Sequence, residues 1–195
     1  MTDTRTPAAR WVLVLAAITL LGALGSIVAP NVLKQWTSGA PWPEGVHLSG
    51  GLGTEDGVIG DDPAEVGTDV PALTELRPAL LAAVREAAAD AAEDGVDLRV
   101  TSGWRSAQYQ QHLLDEAVDE YGSYEEARRW VNTPDGSKHV TGDAVDVGPT
   151  DAADWLGRNG SAYGLCQVYA NEMWHFELLT APGGECPAMR LDGSS

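Results

Sequence analysis

Between Arg10 and Lys34 the chain carries no charged residue, and the run from Trp11 to Ala29 reads WVLVLAAITLLGALGSIVA. About 20 such residues cross a bilayer core as a helix, so this run divides the chain and leaves only the part after it to build a water-soluble domain. It is expected to be an uncleaved transmembrane anchor over residues 11–33. The alternative is a cleaved signal peptide, whose apolar core is about 7–15 residues long and ends at a small-residue site. Ala23-Leu24-Gly25, or Ala29 just before Pro30, is where such a cut would fall. Arg5 and Arg10 precede the run, whereas after Lys34 no basic residue comes until Arg77. The positive-inside rule therefore places residues 1–10 in the cytoplasm and everything after the span on the other side of a single-pass membrane.

Residues 34–70 are dominated by Gly, Pro, Asp and Glu, as in SGGLGTEDGVIGDDPAEVG, with no sustained apolar period. They read as a tether with an end-to-end distance of roughly 35 Å, although its end near Val66 to Val70 could equally belong to the domain. The chain as a whole has 29 acidic and 12 Lys or Arg residues, a net charge of -17. Nucleic acid is excluded as a partner, because phosphate binding relies on clustered basic residues. Two cysteines are too few for a zinc ribbon or an iron-sulfur ferredoxin, which need about four thiolates, so any metal must rest mainly on His and carboxylates. Cys166 and Cys186 both lie on the exported, oxidising side, where one disulfide is the simplest expectation.

Residues 71–195 alternate helical and extended signals. Leu76, Leu80, Leu81, Val84, Ala87, Ala88 and Ala91 recur at helical spacing, with Pro78 suited to a first turn and Gly95 to the end. Val96–Ser102 is expected as a strand. Helices are expected over Ser106–Tyr121, capped by Ser106, and over Ser123–Trp130, where Ser123-Tyr124-Glu125-Glu126 fits a capping box. A strand at Ala144–Val147, a helix at Thr150–Leu156 and extended segments at 165–169 and 174–179 complete the domain. Helices first and strands later predict an α+β fold with a small antiparallel sheet flanked by helices.

The chemistry-bearing residues fall in the second half. In SKHVTGDAVDVG, His139 and Asp146 are seven apart, an odd spacing that puts them on opposite faces of a flat strand. Gly142 between them can supply a bend that turns both inward. In NEMWHFEL, Glu172 precedes His175, and His175 and Glu177 share the face opposite Trp174, Phe176 and Leu178. Two His and one Asp suit a catalytic zinc that keeps a fourth position open, with Glu172 as a carboxylate to take a proton. Residue types alone carry modest weight, since a lone His is more often a satisfied core or surface group.

The segment Ser137-Lys-His139-Val-Thr-Gly142-Asp-Ala144-Val-Asp146 resembles the S-x-H-x-x-G-x-A-x-D signature of the VanY-type D-alanyl-D-alanine carboxypeptidases. Glu172-Met-Trp174-His175 is similar to their E-x-W-H element, and Ser102-Gly103-Trp104-Arg105-Ser106 with Gln110 is similar to their S-G-Y-R-S…Q segment. The resemblance implies a zinc peptidase fold shared with VanX-type dipeptidases and the hedgehog signalling domain. It implies one catalytic Zn2+ on His139, Asp146 and His175, with Glu172 as general base and Arg105 near the scissile carbonyl or the terminal carboxylate. Gln110, Ser137 and Trp174 are then expected to hold the substrate. Trp104 stands where the family usually has Tyr and Met173 where Pro is common, departures that bear on substrate fit.

The expected partner is a peptidoglycan stem peptide ending in D-Ala-D-Ala, acted on by a monomer at a bacterial cell membrane, or by a secreted form if the leader is cut. The alternatives are an L,D-carboxypeptidase, a D-Ala-D-Ala dipeptidase, a peptidoglycan endopeptidase, or a non-hydrolytic zinc-bearing interaction domain. A Cys166–Cys186 bridge would tie the strand before Glu172 to the C-terminal tail.

Overall fold

The computed structural model describes residues 51–195. The expected anchor at 11–33, the residues before it and the first part of the tether lie outside the described residues.

Five strands form one antiparallel sheet in the order β1-β2-β3-β5-β4: β1 Ala64–Glu65, β2 Arg99–Ser102, β3 Ala144–Gly148, β4 Leu165–Tyr169 and β5 Glu172–Leu178. The helices are α1 Pro71–Thr74, α2 Pro78–Glu93, α3 Ala107–Tyr121, α4 Tyr124–Ala127 and α5 Thr150–Asn159. The expected α+β class with a small antiparallel sheet is what the structure shows.

Local chemistry sets several boundaries. Pro78 is the first residue of α2, where a missing N–H costs nothing, so Leu76 lies outside the helix but still fills the core. The Ser106 hydroxyl accepts from the backbone N–H of Tyr109 and caps α3. Ser123 caps α4 in the same way through Glu126. That helix stops at Ala127 instead of running to Trp130, and its remaining turns close through the Ala127 carbonyl, which accepts from Trp130 and Val131.

One face of the sheet is covered by α2 and α5. Leu80, Val84 and Ala87 of α2 and Ala152, Trp155 and Leu156 of α5 join Val100, Val145, Val147 and Phe176 in one buried cluster. The Trp155 indole donates to Asp94, and the Tyr163 hydroxyl donates to Asp90, which pins this layer at its polar edge. A second cluster of Leu113, Leu114, Ala117, Ala127 and Val131 joins α3 to α4. Phe176 is completely buried at the centre of the sheet. Phe176→Ala is therefore expected to lower stability by about 3–5 kcal/mol, read as a shift in denaturation midpoint at unchanged slope.

The end of the presumed tether is corrected by the structure. Residues 51–70 pack on the domain: β1 pairs with β2, Ala64 opposite Val100, and Val66 enters the core. The Ser106 side chain and backbone N–H both donate to Asp56, at 2.8 Å each. A two-residue strand leaves no alternating pattern to read, and isolated Ile59 and Val66 in a Gly- and acid-rich stretch show no period.

Candidate metal centre and catalytic cleft

The sheet face opposite the core carries the polar site, and alternation along β3 explains why. Val145 and Val147 enter the core, so Asp146 between them points the other way. Its register partner on β5 is His175, which places both side chains on one face. On β2 an extra residue between Val100 and Ser102 sets Ser102 opposite Asp146. Such a bulge shifts the alternation by one, so Ser102 faces the site although Val100 faces the core.

His139 arrives from the loop before β3. Gly142 supplies the expected bend: it has φ +71°, and a Cβ there would lie 2.5 Å from the Glu75 carbonyl oxygen. The backbone of Gly103 approaches Ala72 so closely that a Cβ would lie 1.9 Å from the Ala72 oxygen. This packing aims the Gly103 carbonyl at His139, whose Nδ1–H donates to it at 2.8 Å. A carbonyl only accepts, so the proton sits on Nδ1 and Nε2 is left to face the site.

There the donor atoms converge. His139 Nε2 is 3.2 Å from His175 Nδ1, and Asp146 Oδ1 is 3.3 Å from the former and 3.1 Å from the latter. His175 directs its other nitrogen at Glu177, Nε2 to Oε1 3.4 Å. All three residues are buried, and one atom from each lies within 4.8 Å of the others. Two imidazole nitrogens and one carboxylate oxygen, each ring oriented by an acceptor behind it, fit a zinc ion with a position left open for substrate. Among the described residues this is the one group of that kind.

Arg105 is buried beside Asp146. Its Nε donates to the Ser102 hydroxyl at 2.7 Å, one terminal nitrogen to Gln110 Oε1 at 3.1 Å and the other to Asp146 Oδ2 at 2.8 Å. Gln110 donates in turn to the Asn132 carbonyl at 2.8 Å. Gln110, expected to hold substrate, thus has both ends of its amide engaged inside the protein.

Glu172 begins β5 with its carboxylate 3.9 Å from His175 Nδ1. Burial pushes its pKa from the ordinary 4.5 up to about 7; the facing His175 opposes the rise and Asp146 adds to it. For Asp146, burial acts in the same direction, but His139, His175 and Arg105 outweigh it and hold the carboxyl well below the usual range. Burial disfavours a charged His175 as well. Its hydrogen bonds to Asp146 and Glu177 prevail and raise it to about 9, whereas His139 is lowered by burial and by Arg105.

These groups open on a cleft lined also by Ser137, Trp174, Trp130, Asn132, Tyr169 and Gly193. Every site residue expected from the sequence therefore meets here, except the two cysteines, which form their disulfide with Cα atoms 5.6 Å apart. Glu177, Tyr169 and Gly193 are among the contributors that carry no assignment in the sequence. Glu177 was legible as sharing a face with His175, without a role. Tyr169, whose ring centroid lies 5.0 Å from that of His175, and Gly193 reach the cleft through strand pairing and the path of the tail, which leave no local signature.

Comparison with known proteins agrees with this geometry. Residues 73–180 match the family model described as VanY, D-alanyl-D-alanine carboxypeptidase. A D-alanyl-D-alanine carboxypeptidase of Enterococcus faecalis is 33% identical, the match covering 44% of this chain and 41% of that protein. The solved structure of VanYB in complex with D-alanine-D-alanine is 26% identical, with a TM-score of 0.52, covering 54% of this chain and 72% of the other. A mutant of the D,D-pentapeptidase VanY from a VanB-type resistance cassette, in complex with Zn(II), is 27% identical with a TM-score of 0.50, over 52% and 71%. The matched span runs from α1 to just past β5 and takes in all three candidate metal ligands, Arg105 and Glu172, so the chain belongs to the VanY family of D-alanyl-D-alanine carboxypeptidases.

Proposed function

We propose that this protein is a zinc-dependent D-alanyl-D-alanine carboxypeptidase that removes the terminal D-Ala from peptidoglycan stem peptides. The observation that carries the reading is the buried His139–Asp146–His175 group with Glu172 beside it, open to a cleft, in a chain of this family. His139, Asp146 and His175 would hold the zinc. When bound there, zinc acts as a Lewis acid and lowers the pKa of water to about 7.

The protein's own groups do the rest. Glu172 takes the proton of the attacking water on its carboxylate and passes it to the departing amine. Arg105, fixed by Ser102, Gln110 and Asp146, presents positive charge at the cleft, where a developing oxyanion or the substrate's terminal carboxylate would meet it. Gln110 would act by holding that guanidinium, and Ser137 and Trp174 by lining the substrate's path.

The uncharged run at 11–29 and the Cys166–Cys186 bridge support a domain held outside the cytoplasm by a single membrane span, or secreted after cleavage. The decisive test is product analysis on the full chain. A stem pentapeptide should give tetrapeptide and free D-Ala, with loss of activity under a chelator and recovery on adding zinc. Conversion of tetrapeptide to tripeptide instead would assign an L,D-carboxypeptidase, release of intact D-Ala-D-Ala a dipeptidase, and cleavage earlier in the stem an endopeptidase.

A further inference from the structure

The matched family domain ends at residue 180, yet the cleft does not. Gly193 lines it next to Glu172: a Cβ at that position would stand 3.8 Å from Glu172 Oε1 and 3.3 Å from the Arg128 carbonyl oxygen. The chain returns there from outside the family span by a series of anchors. Cys186 is bridged to Cys166 on β4. Arg190 then pairs in parallel with Tyr169, its N–H donating to the Val168 carbonyl and its own carbonyl accepting from Ala170, both at 2.9 Å.

At the cleft the segment is fastened to the stretch after α4. Arg129 Nε donates to Asp192 Oδ2 at 2.9 Å, the Gly193 N–H to the Arg129 carbonyl at 3.3 Å, and Asn132 Nδ2 to the Gly193 carbonyl at 3.3 Å. Asp192 is buried, and its second oxygen accepts from the backbone and hydroxyl of Ser194. A free tail has no reason to bury a carboxylate and satisfy both its oxygens. Here the result is a fixed wall of the cleft beside Glu172.

We propose that residues 190–193 are a clasp that determines substrate fit in this protein. Gly193 keeps clear the space beside Glu172 in which the substrate backbone must lie, and Asp192, through Arg129, is the positioning residue that holds Gly193 there. The clasp rests on the carboxypeptidase reading above and adds to it an element outside the matched span. A pre-formed wall favours binding because the substrate need not order it, and freeing it hands that cost to the binding step.

Steady-state turnover of a D-Ala-D-Ala pentapeptide and calorimetric affinity for the dipeptide D-Ala-D-Ala are to be measured on the zinc-loaded full chain. Asp192→Ala is expected to raise KM and Kd about tenfold, as an ordered segment of several side chains is released, with kcat within about twofold. Arg129→Gln should give the same rise, and the double variant no more than either single one, since both act through one contact. Gly193→Leu should weaken binding further, by filling the space itself.

A purely structural tail would lose zinc content and kcat together while KM stayed constant, and that pattern overturns the clasp. So does an active wild type whose KM and Kd are unmoved by all three substitutions. A wild type that neither binds nor cuts either peptide overturns the carboxypeptidase reading, and the clasp with it.

Discussion

Glu172→Gln is expected to lower kcat by about 10²- to 10⁴-fold, the range over which a positioned acid–base group accelerates proton transfer. Zinc content should be unchanged. The amide keeps the size and polarity of the side chain and leaves His139, Asp146 and His175 in place, but it cannot accept the proton that the attacking water must lose. Metal analysis and single-turnover kinetics on the same sample separate the two effects. Normal zinc with normal turnover would refute the assignment.

The same substitution should raise the stability of the metal-free protein above neutral pH. Burial holds the Glu172 carboxyl at about 7 against an ordinary 4.5, so between those values the folded state retains a proton that the unfolded state has released. Folding stability contributed by this group is therefore present below pH 4.5 and is lost as pH rises toward 7. Gln carries no such penalty and should recover about 1–3 kcal/mol at pH 8, read by denaturation in chelator. A buried carboxyl held at a cost to stability is a feature that clusters at functional sites.

Asp146→Asn should be the most damaging change of a single charge in the domain. One carboxylate accepts from Arg105 through Oδ2 and faces both histidines through Oδ1. Without it, Arg105 remains in the interior with Ser102 and Gln110 but has lost its 2.8 Å carboxylate partner, which should cost about 3–5 kcal/mol. The sign with pH follows from the depressed carboxyl. The stabilisation is complete above the ordinary carboxylate range and lost as pH falls through the folded value, so wild type and variant should converge in acid.

Loss of zinc should accompany the loss of stability, because Asp146 is one of the three side chains proposed to hold it. The Arg105→Met, Asp146→Leu double variant separates the roles. It removes both buried charges and should be distinctly more stable than Asp146→Asn while still failing to bind metal. Equal stability of Asp146→Asn and wild type would show that the pair contributes nothing.

How much of this was legible beforehand varies residue by residue. The α2 stripe of Leu80, Val84, Ala87 and Ala91, the Ser106 and Ser123 caps and the bend at Gly142 are local, written within a few residues and read correctly. The convergence of His139, Asp146 and His175 was legible too, because a metal site demands particular donors at spacings that a motif preserves. The sequence also placed an acid, Glu172, three residues before His175.

What no run of residues could show is who stands behind each donor. The Gly103 carbonyl fixes His139 across 36 positions, and the bulge in β2 turns Ser102 toward Arg105. The motif implies that Gln110 helps hold substrate, and only the fold shows that it engages Arg105 and Asn132. The packing of residues 51–70 on the domain leaves no mark in the sequence, because a two-residue strand and single buried side chains have no period.

By itself, then, the sequence determined the class of the domain and the atoms able to hold a metal, since periodicity, capping and donor identity are properties of neighbouring residues. Only the tertiary structure decided the tautomer of His139, the partners of Arg105 and the wall that Asp192 and Gly193 complete. Those depend on pairs of residues brought together by strand register and by one disulfide, and the separation between such pairs along the chain carries no trace of their contact.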